Sequence, residues 1–373
     1  MIQGLCDPDF ERVKEAFEAN FTQRGEVGAA VCVYADGRPV VDLWGGMADP
    51  EAGRPWAEDT LVAMMSVGKG MAALCVHRLI ERGEIDLDAP MALYWPGFGQ
   101  AGKQAVTVHH VLSGQSGVLF ADTAPPLSVL DWDAMIDAIE RQPPEWVPGS
   151  RGAYQSMTMG FMLGELVRRV SGRRLNAFFQ EEIARPLGVE YAWGLSPEQE
   201  SRTAPIIGNP AHDTVKAFAD PSTKLGRAWH MRPKGTQFYN TPGFRQGVLP
   251  SSNGHGNARG VARIFAALAQ GGTLDGVQLL SDPEVEVART LQWDGICGMT
   301  DRHYRYGLGF FLNSQPLAPM GDNTRAFGHP GAGGALGFAD PERRLAFAYS
   351  PNFMCAGAGS GDRCTALVTA LYS

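Results

Sequence analysis

Hydrophobic positions in this chain follow two different periods, and each period predicts a different kind of element. Residues 8–21 carry large apolar side chains at helical spacing after a Pro start, which predicts an amphipathic helix. Residues 27–46 read as two strands joined at Asp36-Gly37, a pair typical of a tight hairpin turn. From Met65 to Glu81 the spacing is helical again, so we expect a second helix there.

The middle and the end of the chain differ in the same way. Residues 86–234 hold helical patterns separated by Pro- and Gly-rich connections, with few strand signals. A periodic helix over 257–272 is followed by short β-like runs and a last helix. We therefore predict an α+β fold, an α/β sandwich in which both chain ends build one antiparallel sheet flanked by helices. The predicted domains are an α/β domain over 1–85 and 235–373 and a mostly helical insert domain over 86–234.

Composition and charge narrow the class of protein. The chain has 373 residues, 44% of them hydrophobic, and a formal net charge of −8. Because no dense Lys/Arg cluster appears, we expect neither a nucleic acid nor a membrane as partner. The first 20 residues lack the pattern of a secretory signal, which favours a cytoplasmic protein. The cysteines are scattered without C-x-x-C spacing, so we expect buried thiols and no metal site: Cys6, Cys32, Cys75, Cys297, Cys355 and Cys364.

One lysine stands in an unexpected setting. The chain contains 6 lysines against 26 arginines, and Lys69 lies within the apolar segment "AMMSVGKGMAAL", three positions after Ser66. On a helix these two side chains share a face, and burial would lower the pKa of the lysine until it could take a proton from serine. Ser66 also falls at the expected helix start, where free N–H groups favour a developing anion. The alternative is a helix-capping serine beside a lysine that reaches to solvent.

Two later stretches add possible partners. "PEWVPGSRGAYQS" places Tyr154 and Ser156 before a predicted helix, and "AFGHPGAGGALGF" places His329 and Gly331 in a small-residue run expected to open a strand. Taken separately, Tyr154 could be an ordinary core aromatic residue and the glycines an ordinary turn. Their order along the chain, Ser-x-x-Lys, then Tyr-x-Ser, then His-x-Gly, is what suggests a common site.

This order resembles a motif series known from one group of enzymes, the class C β-lactamase-like, or penicillin-binding-protein-like, serine hydrolases. Within that group the chain is similar to the family VIII carboxylesterases. The resemblance covers nearly the whole chain and includes "DLWGGMAD", "HHVLSGQSGV" and "LPSSNGHGNARGVARIF". It implies a β-lactamase/transpeptidase-like fold with the active site between the two predicted domains, and neither a cofactor nor a metal ion.

The resemblance also implies roles for individual residues. Ser66 is the expected nucleophile, Lys69 its partner and Tyr154 the second member of the base, and either Lys69 or Tyr154 could be the group that takes the proton. The expected oxyanion hole is formed by the N–H groups of Ser66 and Ala332, although the Gly-Ala-Gly-Gly run could align one residue differently. His329 and Gly331 are expected to bind substrate in the same segment.

Departures from the usual motifs bear on the substrate. His329-Pro330-Gly331 stands where β-lactamases of this fold typically carry Lys-Thr-Gly, and a histidine is mostly neutral near pH 7. This favours a small neutral ester as substrate over a carboxylated one. The aromatic segment 227–248 either lines an apolar pocket or packs the insert domain. The alternatives are a β-lactamase, a D-peptide hydrolase or an acyltransferase on the same site, and, from a different class, a catalytically idle binding protein.

Overall fold

The computed structural model describes residues 2–373. In chain order, its strands are β1 (Gln3–Cys6), β2 (Gly28–Ala35), β3 (Arg38–Asp49), β4 (Arg54–Pro55), β5 (Val62–Ala63), β6 (Tyr191–Ala192), β7 (His255–Gly256), β8 (Thr273–Leu274), β9 (Val277–Gln278), β10 (Trp293–Ile296), β11 (His303–Tyr306), β12 (Phe311–Leu312), β13 (Phe327–Pro330), β14 (Leu336–Asp340) and β15 (Leu345–Pro351). Its α-helices are α1 (Glu11–Gln23), α2 (Val67–Glu81), α3 (Met91–Tyr94), α4 (Val108–Leu112), α5 (Trp132–Arg141), α6 (Thr158–Ser171), α7 (Leu175–Phe179), α8 (Arg185–Leu187), α9 (Pro197–Ser201), α10 (Asp213–Ala219), α11 (Lys224–Ala228), α12 (Pro242–Gln246), α13 (Ala258–Ala269), α14 (Asp282–Ala288) and α15 (Gly361–Leu371).

One large sheet contains strands from both ends of the chain. Its order is β1-β3-β2-β15-β14-β13-β12-β11-β10, with β4 added beside β3, and neighbouring strands are antiparallel. The join between the two ends is the pairing of β2 with β15, in which Val33 lies opposite Phe347. The predicted antiparallel sheet built from both ends is therefore confirmed.

Helices cover this sheet on both sides. Nearly every residue of β2 and β15 is buried, and successive side chains of a strand point to opposite faces, so both faces must be covered. Helix α13 packs against β2, β14 and β15. The terminal helices α1 and α15 pack against each other and supply the second layer, as the sequence predicted.

Helix α2 occupies the centre of the molecule. It is buried on almost all sides and contacts β13 of the sheet as well as α6 of the helical part. A small sheet, β5-β7-β6, lies at its start and joins the strand before α2 to the helical part. Residues 86–234 hold α3 to α11 and the short strand β6. The division into two domains stays a prediction.

Some details differ from the predictions. The segment 326–338 was expected to open a strand, but β13 ends at Pro330 and a turn precedes β14, because Gly333 and Gly334 adopt left-handed conformations (φ +93° and +119°). The six cysteines are free thiols; Cys6 is partly exposed and the other five are buried. Within residues 2–373, no helix has the length and apolar character needed to cross a membrane.

Candidate active site

Ser66 is presented at the N-terminus of α2 by a constrained backbone. The preceding residue, Met65, has a left-handed backbone with φ of +49°, which costs a non-glycine residue about 1–2 kcal/mol. Ser66 occupies the N-cap position, but its side chain makes no capping hydrogen bond. The hydroxyl is therefore free for another role, and this part of the capping alternative does not hold.

The Lys69 amine lies beside that hydroxyl. Its Nζ is 3.0 Å from Oγ of Ser66 and 3.0 Å from the carbonyl oxygen of Ser251. Lys69 is 0% exposed, so it does not reach to solvent. Burial holds the pKa of Lys69 well below its usual range, and within residues 2–373 no carboxylate forms an ion pair with it. This setting favours the neutral amine, which has a lone pair available to accept a proton.

Tyr154 completes the cluster. Its half-buried ring has its centroid 4.8 Å from Nζ of Lys69 and packs edge-on to Tyr304 and at a tilt to Phe311. Burial raises the pKa of the Tyr154 hydroxyl, and a hydrogen bond with Ser66 lowers it part of the way back. The phenol is therefore protonated near neutral pH. Ser66, Lys69 and Tyr154, far apart in the sequence, are brought together.

Two backbone N–H groups near the Ser66 hydroxyl are available to bind an anion. Across residues 2–373, the N–H groups of Ser66 and Ala332 have no hydrogen-bond acceptor. The neighbouring groups are used, since the N–H of Gly331 donates to Ala335 and that of Gly333 donates to His212. Ala332 is therefore favoured over Gly331 and Gly333 as the second donor of the expected oxyanion hole. A Cβ at Gly331 would collide with the carbonyl oxygen of Met64, so only glycine lets this turn approach the start of α2 so closely.

His329 is placed differently from its expected role. It is fully buried and does not line the cavity, because side chains alternate along β13 and it is the next residue, Pro330, that faces the cavity. Its Nδ1 lies 2.7 Å from the carbonyl oxygen of Pro330, and its ring packs on Phe311. Burial lowers the pKa of His329 to about 3. His329 is therefore a neutral residue behind the wall, not a substrate contact.

A cavity of about 450 Å³ opens in front of Ser66. Mostly apolar side chains form its walls: Phe218, Trp229, Tyr239, Met299, Tyr304, Phe311 and Leu317. Near its mouth, two ion pairs join α10 and α11 to the turn after β10, Asp213 with Arg302 at 2.6 Å and Lys224 with Asp301 at 3.3 Å. The cavity thus combines an apolar interior with charges that are paired.

The aromatic segment 227–248 divides between the two roles considered for it. Trp229 and Tyr239 line the cavity. Phe238 and Phe244 instead pack against each other, with ring centroids 5.0 Å apart. Both interpretations therefore hold, each for a different part of the segment.

Sequence reasoning missed two supports of the site. The carbonyl of Ser251 contacts both Lys69 and Ser66, while its hydroxyl donates to Met157 and accepts from the N–H of Gly160 in α6. The Sγ of Cys297 accepts from the N–H of Tyr154 at 3.1 Å. The only sequence signal for Ser251 is its place in "LPSSNGHGNARG", and Cys297 has none. Within residues 2–373, no group of three His, Cys, Asp or Glu residues is arranged to hold a metal ion.

Known proteins share this fold and about a third of this sequence. A family model described as beta-lactamase matches residues 13–362. The esterase/beta-lactamase LipL of Mycobacterium tuberculosis is 35% identical over 363 residues, covering 94% of this chain and 83% of that protein. The crystal structure of a family VIII carboxylesterase superposes with a TM-score of 0.91 at 35% identity, covering 99% of this chain and 98% of that one. A penicillin-binding protein homolog from Caulobacter crescentus has a TM-score of 0.89 at 36% identity, covering 100% and 99% of the two chains.

These similarities confirm several predictions at once. The fold is the predicted β-lactamase/transpeptidase-like one, and the predicted enzyme class, a carboxylic ester hydrolase of the serine hydrolases with this fold, is confirmed. The chain belongs to the beta-lactamase family, and its resemblance to the family VIII carboxylesterases is confirmed.

Proposed function

We propose that this protein hydrolyses small, short-chain, uncharged carboxylic esters through an acyl-enzyme on Ser66. The observation that carries the proposal is the 3.0 Å contact between Nζ of the fully buried Lys69 and Oγ of Ser66, which lines the cavity. A neutral amine at this distance can take the hydroxyl proton as the oxygen attacks, which is how a weak nucleophile becomes a strong one. The low pKa of Lys69 favours it over Tyr154 as the proton acceptor.

In the acylation step, Oγ of Ser66 bonds to the ester carbonyl carbon while its proton passes to Nζ of Lys69. The carbonyl oxygen becomes an anion that accepts hydrogen bonds from the N–H groups of Ser66 and Ala332. When the intermediate collapses, the bond to the alcohol oxygen breaks and that oxygen takes the proton of the Tyr154 hydroxyl. The Lys69 ammonium then returns a proton to the Tyr154 phenolate.

Deacylation repeats these steps with water in place of serine. Water gives a proton to the neutral Lys69 amine and bonds to the acyl carbon, and the same two N–H groups hold the second oxyanion. The bond from Oγ of Ser66 to the acyl carbon then breaks, and Oγ regains a proton from the Lys69–Tyr154 pair. The products are a carboxylic acid and an alcohol, and no cofactor enters the cycle.

The charges around the cavity support uncharged substrates. Its two cationic lining residues, Lys224 and Arg302, are each paired with an aspartate. His329, in the position of the lysine of the related β-lactamases, is neutral and lies behind the wall. A substrate carboxylate entering this cavity would lose water without gaining a free cation, which is costly. A volume of about 450 Å³ lies in the range of sites that bind small molecules.

The test is intact-mass spectrometry during turnover of p-nitrophenyl butyrate. We expect a transient mass increase of one butyryl group on the wild-type chain and none on Ser66→Ala, whose turnover should fall to background. The matched control is Ser128→Ala, which removes a buried hydroxyl outside the cavity and should acylate normally. Turnover by Ser66→Ala at the wild-type rate would refute the assignment.

A second candidate is hydrolysis of β-lactams or D-peptides at the same site. It is favoured by the 36% identity to the penicillin-binding protein homolog and by LipL, which carries both esterase and beta-lactamase in its name. The ratio of kcat/KM for nitrocefin to that for p-nitrophenyl butyrate distinguishes the two. We expect the ester to be strongly preferred, since the cavity offers no unpaired cation to a β-lactam carboxylate.

A further inference from the structure

The indole of Trp229 is fixed firmly in the cavity wall. Trp229 follows α11, is 6% exposed, and donates from Nε1 to Oγ of Ser156 at 2.7 Å. Its ring packs on Phe218 with centroids 5.4 Å apart, and the guanidinium of Arg232 lies 4.2 Å from the centroid of the Phe218 ring. The hydrogen bond fixes the direction of the indole, and Phe218, itself held by Arg232, packs against it at a tilt.

The same contact explains what Ser156 does. Ser156 is the third residue of the Tyr-x-Ser motif, but its hydroxyl is buried and already accepts the indole N–H. Its oxygen is therefore engaged with the cavity wall and holds the indole in place. Because Ser156 lies two residues after Tyr154, the hydrogen bond also ties the position of this wall to the proton-transfer cluster.

The position of Trp229 indicates which half of the ester it meets. After acylation the alcohol must leave and water must enter, so the alcohol half has to face the open mouth. The charged residues of the mouth have side chains between 40 and 71% exposed, whereas Trp229 lies in the buried interior. The acyl group stays on Ser66 throughout and must occupy that interior.

We propose that Trp229, held by Ser156, sets the upper limit on the length of the acyl chain, an inference that rests on the esterase activity proposed above. The indole closes the apolar interior beyond the first few carbon atoms of the acyl group. Shortening this side chain extends the interior and admits longer chains. Ser156 acts through Trp229 and is a positioning residue.

The experiment measures kcat/KM for p-nitrophenyl esters from acetate to decanoate, and for butyrate esters of alcohols of increasing size. The variants are Trp229→Ala, Trp229→Phe and Ser156→Ala. For Trp229→Ala we expect the octanoate-to-butyrate ratio to rise about 10-fold or more, since one methylene group in an apolar pocket is already worth that much. Trp229→Phe and Ser156→Ala should raise the ratio less, because an aromatic ring stays in the wall and only its hydrogen bond is lost. The alcohol series should keep its order.

Trp132→Ala is the matched control. Its indole is also held by a side-chain acceptor, from Nε1 to Glu165 at 3.0 Å, but it lies outside the cavity, so its ratio should stay at the wild-type value. A ratio of two rates in one preparation does not depend on how much of the variant is folded. An unchanged ratio in Trp229→Ala, or a shift confined to the alcohol series, overturns the inference. Failure of the wild-type chain to react with ethyl p-nitrophenyl phosphonate would instead refute the esterase proposal itself.

Discussion

Within residues 2–373, two lysines are fully buried, and their surroundings differ in hydrogen-bond acceptors and in nearby charge. Lys69 and Lys103 are both 0% exposed. Nζ of Lys103 donates to three carbonyl oxygens, those of Gln100 at 3.0 Å, Glu140 at 2.7 Å and Gln142 at 2.7 Å. Nζ of Lys69 has one carbonyl and the hydroxyl of Ser66.

The acceptors and a nearby carboxylate favour a different charge on each amine. Three carbonyls satisfy all three N–H groups of an ammonium, and two of them lie at the C-terminal end of α5, where a positive charge is favoured. Burial lowers the pKa of Lys103 to about 8, with Glu140 acting in the opposite direction, so it is still protonated at pH 7. Lys69 lacks a third acceptor and is more stable as the free base. A buried lysine can therefore close a helix or accept a proton, and its acceptors distinguish the two uses.

Replacing Lys69 should have the largest effect on the reaction. In Lys69→Met we expect kcat/KM for p-nitrophenyl butyrate to fall about 1,000-fold, since a general base typically contributes this much. The free energy of unfolding should be unchanged or higher, because a buried amine gives way to an apolar side chain of similar size. Ester kinetics measures the loss of activity, and urea unfolding measures the stability. Activity close to wild type would contradict the role of Lys69.

Replacing Lys103 should do the opposite. Lys103→Met leaves the last carbonyls of α5 without their donor, so we expect the free energy of unfolding to fall by about 3 kcal/mol. The kcat/KM per folded molecule should remain within a few-fold of wild type. Lys216→Met, which removes an exposed lysine, is the control for loss of charge alone. A Lys103→Met protein as stable as this control would mean that the three hydrogen bonds contribute little.

Arginine substitutions test the two roles of a buried lysine, proton acceptor and helix cap, separately. A guanidinium carries hydrogen-bond donors but does not lose its proton. Lys69→Arg should be as inactive as Lys69→Met. Lys103→Arg should recover about 1 kcal/mol of the stability lost in Lys103→Met, since it keeps the charge beside the helix end. Ester kinetics compares the two Lys69 variants, and urea unfolding compares the two Lys103 variants. An active Lys69→Arg protein would exclude Lys69 as the proton acceptor.

The smallest expected effect concerns pH. Protonation removes the lone pair of Lys69, so kcat/KM should fall as the pH falls through the lowered pKa of this amine. The pKa of His329 is about 3, and that residue stays neutral from pH 5 to 9. The pH profile of His329→Gln should therefore keep the acidic limb of the wild type. Disappearance of that limb in the variant would assign it to His329.

Local signals made much of the fold predictable. The hairpin between β2 and β3 depends on two adjacent residues, Asp36 and Gly37, that adopt φ of +48° and +76°. An Asp-Gly pair is a turn signal that can be recognised from the sequence alone. The helix at Ser66 was predicted from its apolar period and begins at Val67, within two residues of the predicted start. The motif order led to Ser66, Lys69 and Tyr154 because each side chain carries its own chemistry.

Contacts made by the backbone were not predictable. The acceptor of Lys69 is the main-chain carbonyl of Ser251, and a carbonyl gives no sign of its use in a sequence. Lys103 lies in "GQAGKQAV", which reads as a polar surface turn, and only the end of α5 packed over it explains its burial. His329 was expected in the cavity because a motif gives the order of residues, whereas strand alternation decides which of them face the substrate.

The pairing of β2 with β15 has a consequence for the growing chain. Ala35 lies opposite Leu345 and Ala29 opposite Pro351, so the central ladder of the sheet joins residues separated by most of the sequence. While the ribosome is still making the middle of the protein, β2 has an unpaired edge rich in Val and Ala. Contacts this distant in sequence form slowly. During synthesis the protein therefore passes through a stage at which the future centre of its sheet is an exposed, aggregation-prone edge.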